Sequence, residues 1–468
     1  MEIIPSEKGK NLLAYKGFLY SIEKRIGRKD IWKCVNFWTN RCRGRAHTVE
    51  DKIVKEVGSH NHPPEAGKIR AKKIIAELKG RCEEHGVSTH NIIASTSASV
   101  TPGVVSHLPR ITSLKRTVQR TRVKSSGVPA NPTSLEDLRV PTEYTETEDG
   151  RPFLLFDSGC VEKRMLVFST DENLKRLNEC DHWCCDGTFS ASPPLFAQLY
   201  TIHGVFFSSV VPLVYVLLPD KTEQIYHQMF ESILKLKSSL DPKTIMIDFE
   251  QATINAIHYV FPACTVRGCF FHFSQCIWRH IQKEGLQVQY TEDPDFALNL
   301  RHLGALAFVP EHAVIDAYEE LLDSDFFRKN EALLTKLLNY FEDTWIGRLD
   351  RRGRRRQPSF PIHMWNCHQS LADGLPRTNN GVEGWHNSIN SVLQAVHPSI
   401  WKIIKALKKE EQVVKFKIEQ RVAAVDQFKQ TRKYAEISSR LTVVCEEFDQ
   451  RSTQDFLQGI AHNLAFHV

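Results

Sequence analysis

The chain has 468 residues, 41% hydrophobic and 25% charged, with a net charge of +6. That suits two to four globular domains and excludes a chain disordered throughout. Residues 1–72 hold 16 Lys+Arg and 8 Asp+Glu, a surplus of +8 that leaves −2 for the remainder, so a polyanionic partner is expected at the first module.

Twelve cysteines in a chain this long do not make a disulfide scaffold. Several lie near histidines at metal-ligand spacing, which favours zinc and a reducing compartment. The N-terminus has no apolar signal core, and the most apolar stretch, 205–218, is interrupted by Ser208, Ser209 and Pro212. No membrane span is expected, and the protein reads as soluble and intracellular.

Tyr15, Phe18, Tyr20 and Trp32 predict short strands in a small sheet within residues 1–66. Cys34 and Cys42 are followed by His60 and His62 as His-x-His. Two thiolates and two imidazoles satisfy tetrahedral zinc, which would supply much of the folding energy of so small a module. By spacing alone, two unrelated thiols and an exposed histidine pair remain open, because this is not the common Cys-x-x-Cys pattern. The segments GFLYS (17–21), WKC (32–34), CRGRAHT (42–48) and HNHPP (60–64) resemble the FLYWCH-type zinc finger. The resemblance implies DNA or protein binding, with Arg41, Arg43, Arg45 and Lys52 toward phosphate. Trp38 and His47 are read as core or contact residues, with the core favoured.

Residues 67–150 read as a helical basic region and linker. A helix is expected over 68–84, with Ile69, Ile74, Ile75 and Leu78 inward and Gly86 as its stop. Shorter helices follow over 89–94 and 111–122. The second carries Lys115, Arg116, Arg120, Arg122 and Lys124, and is either a DNA-contacting helix or a solvated linker. Pro129, Pro132 and Pro141 mark the boundary, 125–150.

Beyond Arg151 the pattern predicts strands over 153–158 and 164–169, a helix over 171–178, a strand around Asp186, and two strands over 196–207 and 210–218 joined at 208–209. Asp220 is expected to cap a helix with Ile225, Met229, Ile233, Leu236 and Leu240 inward. The apolar run Ile245–Ile247 then ends in Asp248 and Glu250. A helix with Ile254, Ile257, Val260 and Phe261 on one face follows, then a strand over 264–271 that runs into Cys269-x-x-His272. Three hairpin-linked strands, a helix and a parallel strand is the order of an RNase H-like sheet, which gathers carboxylates at one edge.

From Ile281 to Ala372 the pattern is helical, with helices opened by Pro310 and over 328–345. Arg351, Arg352, Arg354, Arg355 and Arg356 lie in this stretch, as a nuclear-import signal, a phosphate contact or a solvated loop. A last helical region starts near Pro398, with Ile400, Ile403, Ile404 and Leu407 covering the sheet and the distal part available for association. The expected divisions are 1–66, 67–150, 151–290, 291–370 and 371–468.

CDGTF (185–189), IDFEQA (247–252) with CFFHFSQ (269–275), and TNNGVEGWHNSIN (378–390) together resemble the catalytic domain of Mutator-like (MULE) transposases. The resemblance covers roughly the last two thirds of the chain. It implies an α/β, RNase H-like catalytic domain with an all-helical insertion, beside the zinc-bound β module. Asp186, Asp248 and Glu383 would be the catalytic carboxylates, holding Mg²⁺ or Mn²⁺ for two-metal phosphodiester chemistry. Asp181, Glu250, Asp373 and Glu410 compete for these roles by proximity in sequence. Cys269 and His272 would give structural support or contact target DNA. Trp385 and His386 would contact DNA or pack beneath the acid.

Two function classes follow, a DDE transposase acting on terminal repeats and target DNA, or a domesticated, non-catalytic regulator binding regulatory sites. A zinc-finger adaptor that binds protein is a third. The nucleus is the expected location and a homo-oligomer is compatible with the reading.

Overall fold

The computed structural model describes the chain apart from residues 6–10, 51, 84–86, 88, 98–99, 126–127, 160, 207–208, 424–431 and 467–468. It divides into two units, Met1–Ala130 and Asn131–Val468. The division falls inside the proline-marked stretch 125–150.

In the first unit, six strands form one antiparallel meander in chain order: β1 (Glu2–Pro5), β2 (Asn11–Tyr15), β3 (Phe18–Ile26), β4 (Lys29–Cys34), β5 (Arg45–Val49) and β6 (Lys52–Val57). Alternation sends Leu13, Tyr20, Trp32, Cys34 and Ala46 to one face. Ile4, Ala14 and Leu19 go to the other, against Ile69 of helix α1 (Ala66–Gly80). Helices α2 (Thr89–Ser97), α3 (Pro102–Val105) and α4 (Ile111–Ser125) follow. Leu78, Cys82, Ile92 and Val118 pack among them. Gly86, the expected stop, lies outside the described residues, as does the side chain of Lys124; α1 itself ends at Gly80 and passes into a 3₁₀ turn.

The second unit is a mixed α/β body around a seven-stranded sheet. Its strands are β7 (Leu154–Asp157), β8 (Leu166–Phe168), β9 (His182–Thr188), β10 (Gln198–Phe206), β11 (Ser209–Leu218), β12 (Thr244–Ile247) and β13 (Thr265–Gly268). They lie in the order β13-β12-β9-β10-β11-β8-β7. β7 to β11 pair antiparallel, whereas β12 is parallel to both β9 and β13. Part of the expected 208–209 turn lies outside the described residues. Helix α5 (Asp171–Asn178) precedes β9, and α6 (Glu223–Leu236) and α7 (Gln251–Val260) flank β12. Ile225, Tyr226, Met229, Phe230 and Ile233 recur at helical spacing on α6 and are buried. Thr222, rather than Asp220, is the N-cap of α6; Asp220 Oδ1 accepts from its N–H and O–H at 3.0 and 2.7 Å. Leu240 falls beyond the helix, which ends at Leu236.

The strand expected over 264–271 is shorter. It stops at Gly268, and Phe270 already opens helix α8 (Phe270–Lys283). The cause is the spacing of Phe273, Ile277, Trp278 and Ile281, which carries one apolar face into a second core. That core is built by α8, α9 (Gln287–Glu292), α10 (Pro294–Ala305), α11 (Val314–Leu322), α12 (Asp325–Lys329), α13 (Glu331–Phe341), α14 (Ile362–Trp365) and α15 (His368–Ala372). Phe273 stacks on Trp365 at 5.0 Å near its centre.

Helix α16 (Asn380–Leu393) returns to the sheet and α17 (Ile400–Val422) follows. Val414 and Ile418 of α17 join the sheet core. On the distal helices α18 (Arg432–Glu446) and α19 (Thr453–Ala461), Leu441, Phe456, Leu457 and Ile460 are buried with Leu300, Leu303 and Phe308, so one face of this region is spent on the helical core. Among the described residues no helix is long and apolar enough to cross a membrane.

Candidate functional site

Each unit brings together one set of reactive side chains. In the first, ligand atoms of Cys34, Cys42, His60 and His62 all lie within 4.8 Å of one another. Cys34 ends β4, and Cys42 follows the short turn Val35–Phe37 and loop beyond it. Cys34 Sγ lies 3.3 Å from His62 Nε2, and Cys42 Sγ lies 3.3 Å from His60 Nδ1. The opposite ring nitrogens are held too: His60 Nε2 by Tyr20 OH at 2.8 Å, His62 Nδ1 by the Pro63 carbonyl at 3.1 Å. Such outer contacts fix the ring that offers its free nitrogen to a metal. Phe18 stacks flat on His60 at 3.7 Å, and a Cβ on Gly44 would fall 2.6 Å from that ring, which is why only glycine fits there. Burial pushes the Cys34 thiol up to about 11 and lowers His60. The donor set fits tetrahedral zinc, whose binding would displace the thiol protons.

The surface around this cluster departs from expectation at Trp38. Arg45 is ion-paired, its guanidinium gripping Glu23 through Nε (2.7 Å) and Nη2 (3.2 Å). Arg41, Arg43 and Lys52 remain exposed. Trp38 is 78% exposed rather than in the core, since the turn after Cys34 leaves Phe37 half-buried and turns Trp38 outward. His47 is half-buried on β5, between Ile31 and Lys55. On α4, Lys115, Arg116 and Arg120 are exposed, whereas Arg122 donates to the carbonyls of Cys82 and Val87.

In the second unit, Asp186 lies on β9 and Asp248 directly after β12. Met246 pairs with Cys184 in parallel register. Both acids stand two residues further on, so they emerge level at adjacent positions. Glu383 comes from the first turn of α16. The neighbouring Val382 is fully buried with Cys184, Met246 and Cys269, pinning the helix start to β9 and β12. A Cβ on Gly381 would come 2.8 Å from Val210 Cβ, so the glycine lets α16 approach β11.

Burial and then the charge of Asp248 push Asp186 up to about 7, with Glu383 adding to the rise. Burial and then the Glu250 charge push Asp248 up to about 6. Glu383 is raised by burial, and its Oε1 is buried without a hydrogen-bond partner. Lys221 is the cation that opposes the rise at both aspartates. Gly187 N–H donates to Asp186 Oδ1 at 2.8 Å and fixes its carboxylate. His386 Nδ1 lies 3.7 Å from Asp186 Oδ2, but burial holds the imidazole down to about 4, so the contact joins a neutral ring to the acid.

Three of the competing acids have other engagements. Asp181 pairs with Lys243 at 2.6 Å, Asp373 accepts from Gln369, and Glu410 accepts from Trp385 Nε1 at 3.0 Å. Glu250 is different: Tyr226 OH donates to it at 2.8 Å and Thr253 at 3.2 Å, and its charge acts on Asp248. Its place beside Asp248 was visible in sequence only as proximity.

Cys269 plays a structural part. Its Sγ accepts from Asn379 N–H at 3.1 Å, and Asn379 is the N-cap of α16. Asn379 Nδ2 in turn donates to the Cys185 carbonyl at 3.3 Å. His272 sits in the first turn of α8, its Nδ1 buried without a hydrogen-bond partner. The arginine run forms a tight hairpin, with Leu349 bridged to Arg355. Arg355 is consumed by Glu319 and the Gly347 carbonyl, and Arg354 pairs with Asp350 at 3.2 Å. Arg351, Arg352 and Arg356 are exposed.

Residues 3–62 match the family model of the FLYWCH zinc finger domain, and residues 182–276 that of the MULE transposase domain. The chain thus combines a FLYWCH finger at its N-terminus with a MULE transposase domain; the second match contains Asp186, Asp248, Cys269 and His272 but stops before Glu383. FLYWCH-type zinc finger-containing protein 1 of Mus musculus is 40% identical over 73 residues, 16% of this chain and 11% of that protein. The chain therefore spans about a tenth of the length of this curated relative. Among solved structures, the Drosophila P element transposase strand transfer complex is similar over 74% of this chain and 91% of that chain, at 11% identity and a TM-score of 0.30, too loose a likeness to argue from.

Proposed function

We propose that the chain is a transposase-class DNA-binding protein, with a zinc finger that engages DNA and an RNase H-like domain of DDE type that cuts and joins it. The observation that carries this reading is that the charges of Asp248 and Glu383 both act on Asp186, the three acids being delivered by two parallel strand positions and a helix start. The hairpin strands β9 to β11, the helix α6 and the parallel strand β12 support the RNase H-like assignment, with the helical block standing between the second and third acids.

Hard carboxylate oxygens suit Mg²⁺ or Mn²⁺, and the partnerless Glu383 Oε1 fits a cation ligand. Held by these acids, such ions would supply activation of a water or a 3′-hydroxyl and stabilisation of the leaving oxygen. The chain's own residues fix the acids. Gly187 orients Asp186, the Cys269–Asn379 contact sets the start of α16, and Tyr226 holds Glu250 beside Asp248. With DNA as the partner, the expected site of action is the nucleus.

The test is Mg²⁺- or Mn²⁺-dependent cleavage of candidate terminal-repeat DNA by the full chain. Asp186→Asn, Asp248→Asn and Glu383→Gln should each abolish cleavage while leaving finger-mediated binding intact. DNA binding without metal-dependent cleavage of any such substrate would favour the non-catalytic regulator.

A further inference from the structure

Trp38 is the most exposed large apolar side chain among the described residues, at 78%. It stands in the loop between the two cysteines of the metal cluster. The loop is tied down: Asn40 N–H and Cys42 N–H both donate to the Asn36 carbonyl at 2.9 and 3.3 Å, and Asn61 Nδ2 donates to the Asn40 carbonyl at 2.7 Å. The indole is therefore held outward on a braced turn. Phe37 meets it edge-on at 4.9 Å, and Lys33 Nζ lies 5.5 Å from its ring.

Arg41 and Arg43 lie on the same loop and just past it, both exposed. Among the described residues, none of Lys33, Arg41 and Arg43 is ion-paired. An aromatic face set among unpaired cations matches a base with its flanking phosphates, because every base offers a π-face and every nucleotide a negative charge. The surplus of +8 over residues 1–72 favours nucleic acid over a protein surface.

We propose that Trp38 is a stacking platform for an unstacked nucleobase, with Lys33, Arg41 and Arg43 on the adjoining phosphates. This rests on the reading of the finger as a DNA-binding module. It adds a contact to the base, and with it a preference for DNA whose bases are accessible.

The experiment measures binding of the full chain to a fluorescent single-stranded oligonucleotide across a salt series. Trp38→Ala should weaken binding about 5- to 150-fold, the range for losing one stacked base. The salt slope should stay unchanged, because the indole releases no counterion. Arg41→Ala with Arg43→Ala should weaken binding and flatten the slope. Zinc content serves as the folding control, and Trp38→Leu, apolar but without a face to stack on, decides the matter if Trp38→Ala loses zinc. Unchanged affinity in the Trp38 variants, while the arginine variant weakens, overturns this inference alone and leaves the indole to a protein partner. No binding of the single strand by the wild-type chain overturns this inference and leaves duplex binding by the finger standing, whereas no effect of the arginine pair overturns the finger's DNA-binding role and this inference with it.

Discussion

Asp248 stands level with Asp186 across two parallel strands. The register that pairs Met246 with Cys184 brings the two carboxylates out side by side, two residues beyond that pair. Burial and like charge together make ionising both costly, so Asp186 is held at about 7 and Asp248 at about 6. Two groups of one sign in such a position require protons or a cation.

That exchange predicts a pH-dependent response to divalent ions. Both folded pKa values lie above the ordinary 3.8, so the folded chain binds these protons more tightly than the unfolded one. The resulting stability is fully present below pH about 4 and is lost as the pH rises to about 7. A divalent ion can replace the lost protons only where both acids are ionised. Mg²⁺ or Mn²⁺ should therefore raise the melting temperature at pH 8 and do little at pH 5, with Asp186→Asn removing the increment. An equal rise at both pH values would contradict the assignment.

The metal cluster predicts a graded loss through the residues behind it. Cys42→Ser removes a ligand and should abolish stoichiometric zinc in the full chain, whereas Cys82→Ser, remote from the cluster in the helical core, should leave zinc in place. Tyr20→Phe deletes the hydroxyl on His60 Nε2 and should lower zinc affinity about 10- to 100-fold, the usual effect of losing an outer contact to a ligand. Competition with a chromogenic chelator measures both. Undiminished affinity in Tyr20→Phe would show that Phe18 stacking alone orients the ring.

The start of α16 offers a separate test. Cys269→Ala removes the acceptor for the buried Asn379 N–H, at a cost of about 1–3 kcal/mol. Because that contact sets the helix carrying Glu383, metal-dependent cleavage should fall further than finger-mediated binding. Cys269→Ser, which restores an acceptor, should recover part of the stability. Calorimetry of the two variants distinguishes this anchoring from a metal-ligand role, in which serine would be no better than alanine.

Much of this was legible because it is local. Alternating aromatics mark the finger's strands, and the apolar run ending at Asp248 marks β12. What escaped is decided by tertiary neighbours. The run from Cys264 to Phe271 is too short to show a period, so the change to helix at Phe270 depends on the core that receives Phe273. Cys269 meets a residue 110 positions away, and no spacing rule predicts that. Trp38 looked like core because aromatic residues usually are; a turn of three residues sent it outward. The arginines at 45 and 355 resembled their exposed neighbours until Glu23 and Glu319 claimed them.

That last difference divides the arginine hairpin into two roles. Arg355 is 16% exposed, pairs with Glu319 and donates to the Gly347 carbonyl at 2.7 Å, so it closes the hairpin against α11. Arg355→Ala should destabilise the second unit by about 1–3 kcal/mol, the scale of charge-assisted hydrogen bonds, and leave the salt slope of DNA binding nearly unchanged. Arg351, Arg352 and Arg356 are exposed and carry no such duty. Replacing these three by alanine should leave melting within about 0.5 kcal/mol of wild type, as for most surface substitutions. If the hairpin touches the DNA backbone, the same triple variant flattens the salt slope by about 0.9 for each phosphate no longer neutralised. A triple variant with wild-type slope, beside an Arg355→Ala that unfolds more easily, would assign the run to folding and remove it from the DNA-binding surface.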